Sequence, residues 1–257
     1  EYYRMDLRAA TGVENAVLLN SIKRIRGNSI DNSIVGNSES NTLDGFLGAD
    51  TLVGLTGNDY YLVDNVADRT IEATGQGTDS VNASVDSYTL EDNLEWLILF
   101  EDPSVISGLG NSLDNYLLGN SSNNTLWGFS GDDTIDGGTG DDSLIGGTGN
   151  DYYITNSISD NVFEGSGAGT DTVESATTHT LSGNIEVLIL SGASVINAYG
   201  NSLANSLFGN SRNNTIDGGS GADTMVGANG ADYYIVDNLN DVIMEDLGAG
   251  TGLDSVY

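Results

Sequence analysis

An all-β fold, a right-handed parallel β-roll or β-solenoid with 18 residues per coil, is predicted by three features of the sequence. These are a nonapeptide period, a longer repeat laid over it, and a composition rich in glycine with almost no proline. Among 257 residues there are 35 glycines and a single proline, Pro103. Ordinary domains carry roughly 7% Gly and 5% Pro. The excess glycine implies many turns of positive φ.

The nonapeptide is the first element. From Gly110 the chain divides into GNSLDNYLL, GNSSNNTLW, GFSGDDTID, GGTGDDSLI and GGTGNDYYI. Each nine opens on Gly. Position six is Asn115, Asn124, Asp133, Asp142 and Asp151, and position eight is Leu117, Leu126, Ile135, Leu144 and Tyr153. Four further nines run from Gly27, with Asn32, Asn41, Asp50 and Asp59 at position six. Four more run from Gly200, with Asn205, Asn214, Asp223 and Asp232. Positions one to six carry turn formers, which tolerate φ > 0 or cap their own backbone. Positions seven to nine alternate polar, aliphatic and variable residues, the signature of a very short strand. Turn, strand, turn and strand together take two nines. Residue i therefore stacks over i+18 at about 4.8 Å, the strand spacing.

The longer period makes three super-repeats. Asp-Tyr-Tyr recurs at Asp59, Asp151 and Asp232. It is followed by an aliphatic strand, acidic residues and Gly-x-Gly-Thr-Asp-x-Val at 75–81 and 167–173, with a variant at 248–256. Asn-Leu-Glu-Trp-Leu-Ile-Leu at 93–99 then matches Asn-Ile-Glu-Val-Leu-Ile-Leu at 184–190. The middle super-repeat has one extra nonapeptide. Val81, Leu90, Leu99 and Leu117 keep multiples of nine, which predicts one continuous rod. Glu1 to Leu7 matches the phase of Ser84 to Leu90, and Val256-Tyr257 that of Val81-Asn82. Helix is expected to be nearly absent, with 7–26 left undecided.

Charge bounds the partners. Asp and Glu number 38 against 7 Lys and Arg, a net charge of −31, and five of the seven basic residues fall within the first 26. The repeat body is almost purely anionic, so no nucleic acid and no anionic membrane surface is expected as partner. No run of 18 apolar residues occurs, so no membrane insertion is expected. There is no cysteine, so any staple other than packing has to be a metal.

Stacked position-six carboxylates call for cations. Two unit charges about 5 Å apart repel by around 3 kcal/mol at an effective dielectric of 20, and the rod would repeat that at every rung. Hard carboxylate and carbonyl oxygens select Ca²⁺, and the single histidine gives no zinc or copper set. The chain then divides into a leading segment 1–26 phase-matched to the inter-block coils, calcium blocks 27–82, 110–173 and 200–257, and metal-poor coils 83–109 and 174–199.

The nines resemble the repeats-in-toxin, or haemolysin-type calcium-binding, family, whose motif is Gly-Gly-x-Gly-x-Asp-x-aliphatic-x. Gly137 to Ile145 fits it at every defined position. The resemblance implies a parallel β-roll with several Ca²⁺ ions between stacked turns, ligated by position-six Asp and turn carbonyls. Carried onto this sequence, it implies the side-chain pairs Asp50/Asp68, Asp133/Asp151, Asp142/Asp160 and Asp223/Asp241. The mixed pairs Asn41/Asp59, Asn124/Asp142 and Asn214/Asp232 are weaker, and Asn-Asn rungs, which depart from the motif, are expected as neutral ladders. Asp79, Asp171 and Asp254 are further candidates in the Gly-x-Gly-Thr-Asp-like turns. It also implies secretion of an unfolded chain by a bacterial one-step route, and folding outside the cell.

Other readings of the same residues are blander. The tyrosine pairs 60/61, 152/153 and 233/234 could stack on surface glycans, but one core ring and one surface ring is the favoured reading. His179 takes the place of Tyr88 and reads as a strand residue, not a base. Repeated carboxylates argue against an enzyme, because an active site is a unique constellation in a pocket. The expected function is an extracellular structural repeat protein of surface-layer, adhesin-stalk or filament type, with self-association end to end or side by side. The alternatives are the repeat module of a secreted enzyme or toxin, and a carbohydrate-binding or processing solenoid.

Overall fold

The computed structural model describes residues 4–10, 12–19, 21–245 and 252–257. It is a parallel β-solenoid of about 18 residues per coil, without helix among the described residues. Alternate strands, from Arg4–Asp6 to Val242–Met244, build one continuous fourteen-stranded sheet. The strands between them form three shorter sheets of four, five and five strands on the other wall. Every strand pairing is parallel. The second wall breaks between Arg69–Ile71 and Ser87–Thr89, and again between Asn161–Phe163 and His179–Thr180. Both breaks fall where the nonapeptides give way. Segment 7–26 contributes the strands Asn15–Val17 and Arg24–Arg26.

Most strands are three residues long because a turn interrupts every nine, and the middle residue points inward. Ile34, Leu43, Leu52, Leu117, Leu126, Ile135 and Leu144 are all fully buried. They form the position-eight ladder, each worth roughly 1.5–3 kcal/mol of burial. Tyr61, Tyr153 and Tyr234 continue it with rings of zero exposure.

Inside the blocks the register is 18, as in Ser33↔Thr51 and Thr134↔Tyr152. Between blocks it is not. Tyr60 pairs with Ser80, Ser80 with Trp96, and Trp96 with Tyr116. Leu97, not Leu99, therefore stacks on Val81, and Leu97 in turn stacks on Leu117. A lengthened coil next to a shortened one keeps the sum close to two coils. That near-cancellation is why counting by nines passed through Leu99.

Arg4–Asp6 lies in the fourteen-stranded sheet and pairs with Arg24–Arg26. Ser87–Thr89 pairs with Ser107–Leu109 at the same spacing of 20 residues, but in the opposite wall. A nonapeptide is half a coil, so a period of nine does not tell one wall from the other. Glu1 to Tyr3 lie outside the described residues. The Asp-Tyr-Tyr strands show the same parity. Tyr60–Val63 and Tyr152–Thr155 belong to the long sheet, whereas Tyr233–Ile235 lies in the opposite wall.

Candidate metal centre

The turns place the position-six side chains in two buried columns flanking the core. Within a column one contact repeats: the backbone N–H of a position-six residue donates to Oδ1 of the Asp one coil later. Asp50 donates to Asp68 (2.9 Å), Asp133 to Asp151 (2.8 Å), Asp142 to Asp160 (3.0 Å) and Asp223 to Asp241 (3.0 Å). Asn41, Asn124 and Asn214 donate to Asp59, Asp142 and Asp232 at 2.6–2.7 Å. All seven predicted pairs are brought together. Asp59, Asp151 and Asp232 donate onward to Asp79, Asp171 and Asp254.

That contact uses one carboxylate oxygen and leaves the other. Oδ2 of Asp50, Asp59, Asp133, Asp142, Asp151, Asp171, Asp223 and Asp232 is buried with no hydrogen-bond partner. Each of these residues is at most 2% exposed. A buried ionised oxygen without a donor is costly, and here the cost recurs coil after coil. The glycine opening each nine supplies the room. A Cβ on Gly45, Gly128 or Gly137 would run into Oδ2 of Asp50, Asp133 or Asp142. A column of hard, anionic, orphaned oxygens fits a divalent cation such as Ca²⁺. These Asp residues would hold it.

Among the described residues no Asn-Asn rung exists. Every position-six Asn has an Asp one coil later, including Asn32 below Asp50, Asn115 below Asp133 and Asn205 below Asp223. The asparagines start each ladder. Their Oδ1 accepts the N–H of the residue four earlier, as Asn120 to Asn124 (2.7 Å). Their amide NH₂ reaches back: Asn32 to the Val13 carbonyl (2.9 Å), Asn115 to Leu94 (3.1 Å) and Asn205 to Ile185 (3.0 Å). A neutral amide carries its own donor, so the first rung is satisfied without a cation.

Asp68, Asp160 and Asp241 end the ladders differently. Their Oδ2 accepts two turn amides, Asp64 and Asn65 for Asp68, Asn156 and Ser157 for Asp160, and Asp237 and Asn238 for Asp241. Both oxygens of these three are thus engaged by backbone. Beyond them, the Asp79 and Asp171 N–H groups donate to Glu95 (2.8 Å) and Glu186 (2.9 Å). Those glutamates, from the Asn-x-Glu motifs, continue the ladder where the coil is shortened. Their extra methylene spans the difference.

Three acidic groups absent from the sequence-based ligand set stand beside the last rungs: Glu72, Glu164 and Glu245. Carboxylate oxygens of Asp59, Glu72 and Asp79 all lie within 4.8 Å of one another, as do those of Asp151, Glu164 and Asp171, and of Asp232, Glu245 and Asp254. The hydroxyls of Tyr61, Tyr153 and Tyr234 donate to Glu72, Glu164 and Glu245. This explains the second tyrosine of Asp-Tyr-Tyr. Its partner Tyr60 or Tyr152 is half-buried, and Tyr233 is exposed.

Burial dominates the electrostatics. It pushes Asp50, Asp59, Asp79, Asp142, Asp151 and Asp171 up to about 6, and Asp133 to about 8, against the lowering effect of the backbone N–H each accepts. Glu72 is pushed to about 7 by burial, with Asp79, Asp59 and Glu95 adding repulsion. Asp68, Asp223 and Asp232 are also raised by burial. His179 is a buried strand residue whose pKa burial lowers, and its Nε2 has no partner.

Four copies of the RTX calcium-binding nonapeptide repeat match the chain, over residues 26–61, 109–144, 127–157 and 199–234. No curated protein matches it.

Proposed function

The chain carries RTX calcium-binding nonapeptide repeats wound into a parallel β-solenoid, and from that premise we propose an extracellular structural protein that folds around Ca²⁺ after secretion. One observation carries the proposal: eight position-six-type aspartates each bury an oxygen that has no hydrogen-bond partner among the described residues. In chelator the ladder is a stack of uncompensated carboxylates, and ordering each residue costs a further 1–2 kcal/mol or so of backbone entropy. The cytosol is poor in free calcium, so the chain stays unfolded there and suits export as an unfolded thread. Outside, Ca²⁺ neutralises the rungs and its binding energy becomes folding energy. RTX-type repeats and the chain's acidity support a bacterial, secreted setting.

The role is taken as structural, of surface-layer, adhesin-stalk or filament type, because its charged groups repeat identically from coil to coil. Circular dichroism tests the folding step. Chelated protein at neutral pH is expected to lack β signal and to regain it cooperatively on titration with Ca²⁺. A full β spectrum in chelator would show that the aliphatic and Asn ladders suffice, and would end the proposal.

A further inference from the structure

We propose that Glu72, Glu164 and Glu245 complete three additional divalent-cation sites, one closing each ladder and unlike the stacked-turn rungs in being built from three side-chain carboxylates. The inference rests on the calcium-binding reading above but names residues outside the nonapeptide motif.

Position explains how each glutamate reaches its site. Glu72, Glu164 and Glu245 stand one coil of 18 after the position-one glycines Gly54, Gly146 and Gly227. Each therefore replaces a glycine of the column, and its side chain turns back over the coil beneath. On Gly54 a Cβ would meet Asp59 Oδ2, Glu72 Oε1 and the Tyr61 hydroxyl together. The three groups converge on the space that the missing side chain leaves. In the other blocks Asp151 Oδ2 and the Tyr153 hydroxyl converge on Gly146, and Asp232 Oδ2 and the Tyr234 hydroxyl on Gly227.

The cluster is not neutralised from within. Asp59 is 1% exposed and Glu72 7%, and each keeps one buried oxygen without a partner. Asp151 and Asp171 do the same in the second block at 1% and 0%. Among the described residues no Lys or Arg forms an ion pair with any of these acids. The tyrosine supplies one donor to one glutamate oxygen and holds the glutamate in place; Glu72 Oε2 has no partner, whereas Glu164 Oε2 also accepts the Gly165 N–H at 3.2 Å. Three carboxylates converging on one space select a hard cation of high charge. The third group is more open, with Glu245 and Asp254 exposed, and is expected to fill last.

The test compares the full chain with the triple variant Glu72→Gln/Glu164→Gln/Glu245→Gln, which preserves the acceptor for each tyrosine. Bound calcium is counted by equilibrium dialysis, and Tb³⁺ luminescence is excited through tyrosine, whose ring stands beside each site. The variant is expected to lose three ions per chain and most of its tyrosine-sensitised emission, with the wild-type β spectrum at saturating Ca²⁺. An unchanged ion count in a folded variant overturns the inference and leaves the stacked-turn reading intact. Where the triple variant does not fold, Glu72→Gln alone is expected to lose one ion, and an unchanged count in it overturns the inference equally. Absence of tyrosine-sensitised Tb³⁺ emission from the wild type overturns it without any variant. A folded wild type that binds no calcium at all is a separate result, and sinks the proposed function itself.

Discussion

Lowering the pH should fold this protein even without calcium. Six aspartates, Asp50, Asp59, Asp79, Asp142, Asp151 and Asp171, have folded-state pKa values near 6, against about 3.9 in an unfolded chain. An acid raised on folding takes up a proton as the chain folds. Its contribution therefore favours the fold fully below about pH 4 and is lost as pH rises through about 6. At pH 5 each of the six is about nine-tenths protonated when folded and under a tenth when unfolded, so folding takes up about five protons. The folding constant should then change by about five decades per pH unit near pH 5, before Glu72 and Asp133 add their share. The assay is far-ultraviolet circular dichroism of metal-free protein at low micromolar concentration, scanned from pH 8 to pH 4. A steep gain of β signal on acidification is expected, with a midpoint that moves upward when Ca²⁺ is added. A β signal that is flat, or that falls on acidification, would refute the reasoning, because it would mean that the buried oxygens are not what holds the metal-free chain open.

Two substitutions probe the same ladder from other sides. Asp133→Asn places at the second rung the amide already used at Asn115. It should raise the β content of the chelated chain at pH 7 while lowering the calcium count by dialysis. Gly149→Ala should lower the thermal midpoint in Ca²⁺ by a loss of more than about 1 kcal/mol, since Gly149 has φ of 135° and a Cβ there would strike the Gly131 carbonyl.

The sequence discloses the solenoid because its chemistry is periodic. Position-six Asp and position-eight aliphatics recur every nine residues, and the strand spacing leaves few ways to bury them. All seven expected side-chain pairs meet for that reason. Counting by nines fails where two half-coils are equivalent. It cannot say which wall Arg4–Asp6 joins, and it accepts Leu99 where Leu97 holds the stack. Asn-Asn rungs do not arise because the stacking partner of each position-six Asn lies two nines on and is always Asp. Glu72, Glu164 and Glu245 escape motif reading because they stand where the motif ends. Their signal was nonetheless present: in all three blocks a glutamate follows the last position-one glycine by one coil of 18. The turn amides that satisfy Asp68, Asp160 and Asp241 are backbone geometry, which residue identity does not display.

The half-coil parity of the Asp-Tyr-Tyr strands makes the array an indexed screw. Adding eighteen residues lengthens the rod and leaves every downstream feature aligned with those before it. Adding nine turns all that follows through half a revolution. Tyr60–Val63 and Tyr152–Thr155 share a wall, whereas Tyr233–Ile235 has been carried to the other. A duplication or deletion of one nonapeptide can therefore change which flank presents an outward residue to a neighbouring molecule, with no alteration to the residue, its turn or the core beneath it.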